Sequence, residues 1–182
     1  MVARWLLAVF TLPGTMLILI PLGILWSSTR LGIAWSPAGF NSPFFWAALP
    51  FALLGGLFGL WTMALFLRFA NGTPAPWDPP KNFIVRGPYR HVRNPMIVGV
   101  ILMLTAESLF FQSWPLATWA GLFFLGNAVY FPLVEEPGLR RRFGDDYDVY
   151  CRHVRRWVPR IRPWGNTSSQ QTAPCLRHRG KT

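Results

Sequence analysis

The sequence predicts an all-α fold: a polytopic membrane protein with about four transmembrane helices and a cytosolic amphipathic helix near the C-terminus. Hydrophobic residues make up 52% of the 182 residues and charged residues only 14%. No charge lies between Trp5 and Thr29 or between Leu31 and Leu67, and Glu107 is the only charge between Asn94 and Val134. Each stretch reaches the roughly 20 apolar residues that cross a bilayer.

The first two stretches each predict one helix. The first covers about residues 5–26, and it is too long for the apolar part of a signal peptide and lacks a small-x-small cleavage site, so we expect it to be retained. The second covers about residues 43–69. Its Gly55 and Gly59 have the small-xxx-small spacing that allows a second helix to approach closely. We interpret that pair as a packing face.

The third stretch predicts a transmembrane hairpin. As one helix, residues 94–134 would be about 60 Å long, twice the thickness of the hydrocarbon layer. The polar and proline-containing sequence Gln112-Ser113-Trp114-Pro115 lies near its middle. We therefore expect two helices, about residues 95–111 and 115–134, joined by a tight turn. The proline-rich residues 71–80 connect this hairpin to the preceding helix.

The residues after the hairpin predict an amphipathic helix over about residues 145–158. Apolar residues recur there at helical spacing, which favours a helix lying along the membrane or over the bundle. The polar residues 163–182 lack periodicity and predict a disordered tail. Residues 1–162 then form a single membrane domain. The apolar stripe comprises Phe143, Tyr147, Tyr150, Cys151, Val154, Trp157 and Val158.

The distribution of basic residues predicts the orientation in the membrane. Four basic residues lie between residues 81 and 93, and eleven of the eighteen follow Glu136, so both segments should be cytosolic. Four crossings with both termini in the cytosol satisfy this rule, in a bacterial inner membrane or the endoplasmic reticulum. The net charge of +11 lies beside a membrane helix, so membrane lipids are expected partners and nucleic acid is not. The oligomeric state is not determined by the sequence.

This topology brings two polar segments to one membrane face: residues 86–95, which enter the third helix, and Glu135-Glu136-Pro137, which follow the fourth. Basic and hydrogen-bonding groups opposite two carboxylates suit a ligand with a carboxylate, an ammonium group and ribose hydroxyls, such as S-adenosylmethionine. Gly99, one turn into the helix, leaves room for a flat ring. The alternative is an interfacial salt-bridge network with ordinary topology signals. Glu107, far from this face, is expected to have a packing role.

Two sequences at these positions resemble a known superfamily. They are Gly-Pro-Tyr-Arg-His-Val-Arg-Asn-Pro-Met-Ile-Val-Gly at 87–99 and Glu-Glu-Pro-Gly-Leu-Arg-Arg-Arg-Phe-Gly-Asp-Asp-Tyr-Asp-Val-Tyr at 135–150, with Val-Pro-Arg at 158–160. Residues 86–160 resemble the isoprenylcysteine carboxyl methyltransferase and phospholipid methyltransferase superfamily. The chain departs from it at Asn94-Pro95-Met96-Ile97, where members often have His-Pro-x-Tyr.

The resemblance implies a cofactor pocket for S-adenosylmethionine at the cytosolic end of the bundle, closed by the C-terminal segment. The lipophilic substrate would arrive from the bilayer. The implied catalytic or substrate-orienting residues are Arg93, Glu135, Glu136 and Arg141, the last within the run 140–142. The implied cofactor-binding residues are Tyr89, His91, Asn94, Pro95, Gly99, Glu135 and Glu136.

Methyl transfer from a sulfonium requires mainly alignment of donor and acceptor and exclusion of water, and no metal. The sequence has no Cys or His metal cluster, which agrees with this chemistry. Since a carboxylate is already ionised at pH 7 and an amine must first lose a proton, the function predicted is most like isoprenylcysteine carboxyl methylation. The alternatives are phosphatidylethanolamine N-methylation, methylation of a small hydrophobic thiol, and an inactive membrane scaffold.

Overall fold

The computed structural model describes residues 10–69 and 85–165, and these residues form helices and connecting turns without a β-strand. The helix bounds agree closely with the predicted hairpin and with the predicted second helix. In chain order the elements are a π-helical stretch Phe10–Leu19 that leads into α1 (Ile20–Arg30), α2 (Pro43–Phe69), a 3-10 turn Gly87–Arg90, α3 (Pro95–Phe110), α4 (Trp114–Tyr130), a π-helical turn Phe131–Glu135, α5 (Glu136–Phe143) and α6 (Asp145–His153).

Two helices in the described part of the chain are long and apolar enough to cross a membrane. They are Pro43–Leu65 within α2 and the continuous helix Trp114–Phe143. The latter corrects the predicted end at residue 134, because the π-helical turn carries α4 into α5 without a break. α3 is apolar but has only 16 residues. Crossings by α3 and by the predicted helix at residues 5–26, which begins outside the described residues, stay predictions.

α2 and α3 pack together through glycines. A Cβ atom added to Gly55 would lie 2.8 Å from the carbonyl oxygen of Gly99, and one added to Gly99 would lie 2.9 Å from the oxygen of Gly55 and 3.1 Å from the nitrogen of Gly59. Such distances leave no space for a side chain, so the two backbones approach closely. The packing role predicted for the pair is confirmed at Gly55, whereas a Cβ atom added to Gly59 would meet nothing within 4 Å.

The turn between α3 and α4 is tight, as the sequence predicts. Gln112 adopts a left-handed conformation with φ 47°, and Ser113 immediately precedes α4. The loop after α1 covers this turn: the Ala38 amide donates to the Phe110 carbonyl at 2.7 Å, and Trp35 packs edge-on against Phe111. The two ends of the hairpin therefore lie at the same end of the bundle, where the two polar segments are.

The C-terminal helix is shorter than predicted. α6 ends at His153 instead of about residue 158, because Val154 turns to an extended conformation and the chain runs back over residues 90–93. We call residues 154–165 the C-terminal strap. Three backbone hydrogen bonds tie the strap to these residues: Arg93 N to Arg155 O at 2.9 Å, Arg160 N to His91 O at 2.9 Å and Trp164 N to Arg90 O at 3.0 Å.

The apolar stripe predicted for this region is largely buried within the protein. Tyr147, Tyr150 and Val154 form a cluster, against which Val85 and Trp164 pack. Ordered structure thus continues past residue 162, where the sequence predicted the tail to begin. The rest of that tail and the proline-rich connector lie outside the described residues.

Candidate active site

A buried ion network lies where the two polar segments meet. Arg156 donates to both carboxylate oxygens of Glu136, from Nε to Oε1 at 2.7 Å and from Nη2 to Oε2 at 2.9 Å. Arg93 Nη1 donates to Glu136 Oε1 at 3.0 Å and to Cys151 Sγ at 3.2 Å. The hydrogen bond with Glu136 raises the pKa of Arg156. Glu136 of α5 thereby connects Arg93 to Arg156 of the strap. Both of its carboxylate oxygens accept hydrogen bonds.

Glu135 is in a different environment, although it is adjacent in sequence. Consecutive helical residues are rotated by about 100° from one another, so the two carboxylates point to different neighbours. Glu135 is half-buried and forms no hydrogen bond or ion pair with the described residues. Burial raises the pKa of Tyr89 well above its ordinary value, with further contributions from Tyr150 and from the charge of Glu135. Glu135 and Tyr89 are therefore neighbours at this face.

Two buried donors next to the ion network have no partner among the residues that the structure describes: Arg93 Nε and Asn94 Nδ2. Asn94 begins α3 through its backbone, because its carbonyl accepts a hydrogen bond from the Val98 amide at 3.0 Å, but its side chain caps no amide. A buried polar group without a partner is destabilising and requires an explanation. A ligand that accepts hydrogen bonds would provide one.

α6 and the strap together fix the turn that contains Tyr89 and His91. The Tyr150 hydroxyl donates to the Tyr89 carbonyl at 2.7 Å. His91 Nδ1 lies 2.6 Å from the Arg160 carbonyl oxygen, so Nδ1 carries the hydrogen and Nε2 is left as an acceptor when the ring is neutral. The backbone and one face of this turn are thus positioned by residues 60 to 70 positions later in the chain.

The structure gives Gly99 a packing role instead of the cofactor-lining role that we expected. The space above its missing side chain is occupied by Gly55 and Gly59 of α2, which leaves no room there for a flat ring. Pro95 is fully buried as the first residue of α3. Its ring fits this position because a first-turn residue needs no amide hydrogen.

Arg141 lies apart from the ion network. It is exposed on α5 and forms no ion pair with the described acidic residues, whereas its neighbour Arg140 pairs with Asp148 at 2.9 Å. The network instead recruits Arg156, which the sequence analysis did not single out. Its position off the apolar stripe, beside Val154 and Trp157, indicated a polar environment for Arg156. The spacing of residues could not predict its partner Glu136, which is 20 residues away.

Glu107 and a cavity of about 210 Å³ lie between α2 and α3, more than three helical turns from Asn94. One oxygen of Glu107 is buried without a partner. Glu107 is the one polar residue among those that line the cavity. The packing role expected of Glu107 stays a prediction, because no contact of its carboxylate tests it. The lining residues are Phe45, Ala48, Leu49, Ala52, Met103, Ala106, Glu107 and Phe110.

Comparison with protein families identifies this arrangement. The profile of phospholipid methyltransferases matches residues 44–146, more than half of the chain, and the matched segment includes the turn, α3, α4 and both glutamates. The chain belongs to the phospholipid methyltransferase family. The resemblance found in the sequence is confirmed, and the family is one of membrane methyltransferases. Curated proteins and solved structures gave no match.

Methyltransferases of this kind generally use S-adenosylmethionine. The described residues at this face fit the groups of that molecule. The partnerless donors of Arg93 and Asn94 match a carboxylate or ribose oxygens, and the unpaired carboxylate of Glu135 matches an ammonium group. The matched segment ends before the strap, so the contacts of Arg156 and Arg160 come from the structure alone.

Proposed function

We propose that this chain transfers a methyl group from S-adenosylmethionine to a lipophilic acceptor at the cytosolic membrane face, in a reaction most like isoprenylcysteine carboxyl methylation. One observation carries the proposal. Close to the ion network of Glu136, two donors and one acceptor have no hydrogen-bond partner among the described residues. The donors are Asn94 Nδ2 and Arg93 Nε, and the acceptor is the Glu135 carboxylate. The buried donors of a purely structural salt-bridge network normally have partners, so two without partners beside it favour a ligand.

The proposed roles follow from which atoms are free. Glu135 would hold the cofactor ammonium, and Asn94 with Arg93 Nε would hold its carboxylate or ribose. Tyr89 and His91 would line the pocket, and Glu136 would position Arg93 through their ion pair. When bound, the cofactor supplies an electrophilic methyl on a good leaving group, so the chain's own task is to align the acceptor and exclude water.

In this proposal, the face that carries the site lies on the cytosolic side of the membrane. The described residues there carry many arginines, whereas the opposite end of the α3–α4 hairpin carries none. A multi-pass arrangement with both termini in the cytosol fits this charge distribution. The acceptor would then reach the site from the inner leaflet, along the lipid-facing surfaces of α2 and α4.

The acceptor class follows from charge. Arg141 and Arg152 are exposed on the two helices that follow Glu135, which favours an anionic acceptor such as a carboxylate. A carboxylate also needs no base. The family match favours a second candidate, phosphatidylethanolamine, whose ammonium group must lose a proton before it is methylated. His91 Nε2, which is left as an acceptor when Nδ1 donates to the Arg160 carbonyl, would be the group to accept that proton.

The test is methyl transfer by the detergent-purified chain from methyl-labelled S-adenosylmethionine to each of three acceptors. These are a prenylated cysteine with a free carboxylate, phosphatidylethanolamine and a hydrophobic alkyl thiol. Mild alkali releases the label from a methyl ester as volatile methanol, but it leaves N-methyl and S-methyl products intact. We expect alkali-labile product that the same prenylcysteine with a blocked carboxylate does not give.

The remaining outcomes assign the alternatives. Alkali-stable label in phosphatidylethanolamine or in the thiol would replace the carboxylate proposal by that acceptor. A folded protein that binds no cofactor and labels none of the three would identify an inactive scaffold. Glu135→Gln, with unchanged thermal unfolding, separates loss of the site from loss of the fold.

A further inference from the structure

The C-terminal strap presents an unusual surface for a segment that follows the apolar helices. Ile161 is 98% exposed and Val158 57% exposed. An isolated exposed apolar residue is ordinary, but this short, non-helical segment exposes two apolar side chains that water solvates poorly. Arginines flank these positions at 155 and 162, and both are exposed.

The strap lies beside the membrane-facing part of the bundle. Trp157 packs edge-on against Phe124 and Phe131, with ring centroids 5.5 and 5.7 Å apart. Phe124 belongs to the apolar helix that is long enough to cross a bilayer, and it lies ten residues before Val134. These contacts hold the start of the strap against the apolar helix, whose side chains are mostly not covered within the protein.

Two arginines of this surface form no ion pair with the described residues. The described ion pairs at this end of the molecule use Arg93, Arg140 and Arg156, whereas Arg155 and Arg162 pair with no described acidic residue. Basic side chains combined with exposed aliphatic ones recognise an anionic lipid surface, because the charges bind headgroups while the aliphatic groups enter the acyl boundary. Nucleic acid would use the charges and leave Ile161 in water.

We infer that the strap is a binding surface for anionic lipid headgroups, and that lipid binding holds it closed over residues 90–93. The strap is tied to those residues by backbone hydrogen bonds, and Arg90 Nε also donates to the Trp164 carbonyl at 2.7 Å. A strap held against the bilayer therefore keeps the turn of Tyr89 and His91 in place. If the proposed function holds, anionic lipid should also raise methyl-transfer activity, and this consequence rests on that function. The lipid binding itself does not.

The test is hydrogen–deuterium exchange of the amides of Arg93, Arg160 and Trp164, with the chain in nanodiscs. One sample contains phosphatidylcholine alone, and the other contains equimolar phosphatidylcholine and phosphatidylglycerol. We expect slower exchange in the anionic nanodiscs, lost at high salt. Arg155→Gln and Arg162→Gln should each reduce the protection by about fivefold, the contribution of one basic residue near an anionic surface. Ile161→Ser should reduce it in both lipids.

The matched control is Arg30→Gln. Arg30 ends α1, stacks over Trp26 and is far from the strap in sequence. The substitution should leave the exchange unchanged. Equal exchange in the two lipids, or protection that survives both arginine substitutions, would overturn the inference. Exchange is measured without turnover, so the two proposals can fail separately. Lipid-dependent protection in a chain that methylates nothing would contradict the proposed function and still support this inference.

Discussion

Arg156 and Glu136 form a two-point ion pair that closes a loop of 20 residues and fixes the start of the strap. The parallel Nε–Oε1 and Nη2–Oε2 hydrogen bonds give this pair a defined geometry that a lysine could not reproduce. Arg93 adds a third hydrogen bond to the same carboxylate. The buried charge therefore holds three segments together, and its loss should affect stability before it affects chemistry.

The two glutamates should respond differently to removal of charge. Glu136→Gln leaves two arginines without their carboxylate, and we expect a loss of about 3 kcal/mol in the free energy of unfolding. Glu135→Gln removes no described ion pair, so stability should change by less than ~0.5 kcal/mol while affinity for S-adenosylmethionine falls at least about tenfold. Denaturant unfolding in detergent and calorimetric titration measure the two quantities. Equal losses of stability would contradict this distinction.

Asn94 should contribute to binding and not to stability. Because its Nδ2 is buried without a partner and caps no helix amide, Asn94→Ala should leave the free energy of unfolding within ~1 kcal/mol of the natural chain or raise it. Cofactor affinity should fall about tenfold, since a ligand acceptor would lose its donor. Calorimetry on both proteins checks this. A large loss of stability with full binding would assign Asn94 to the fold.

The contact between α2 and α3 should not tolerate a methyl group. Gly55→Ala places a Cβ atom against the Gly99 backbone, and we expect a loss of about 1–3 kcal/mol from overpacking. Gly56→Ala is the matched control, because nothing lies within 4 Å of its added Cβ atom. That variant should be neutral or slightly stabilised, as alanine favours helices. Thermal unfolding in one detergent compares them, and similar losses for both would refute the close approach.

Stability should fall in alkali. Burial raises the pKa values of Tyr89, Tyr147 and Tyr150, whereas in the unfolded chain they titrate near 10. Above about pH 10 the unfolded state therefore binds fewer protons than the folded state, and stability decreases by up to ~1.4 kcal/mol per pH unit for each tyrosine. The full contribution is present below that pH.

Ultraviolet titration of the phenolate absorbance tests this behaviour. The absorbance of the three tyrosines should appear together with unfolding and not before it. Tyr150→Phe should make the decline of stability with pH shallower, because one of the shifted groups is removed. Reversible ionisation of these phenols in a protein that keeps its helical circular dichroism would show that they are not buried.

Much of the fold was readable from the sequence because hydrophobicity and turn residues are local signals. The bounds of α2 and the hairpin at Gln112 follow from charge-free runs and from the proline that follows. The close approach at Gly55 was readable as well, since only small residues at that spacing permit it. The extent of α6 was not, because its apolar spacing continues past His153 while tertiary hydrogen bonds draw the next residues into the strap.

The sequence by itself determined that this is a helical membrane protein of a methyltransferase family, with its polar groups gathered at one end of a hairpin. Only the tertiary structure decided that Glu136 forms ion pairs with Arg93 and Arg156 while Glu135 forms none with the described residues. It also decided that Gly99 packs against α2. The physical reason is that periodicity reports which face a residue occupies within its own helix. The partner on that face comes from a distant segment, and its identity is fixed only when the segments pack.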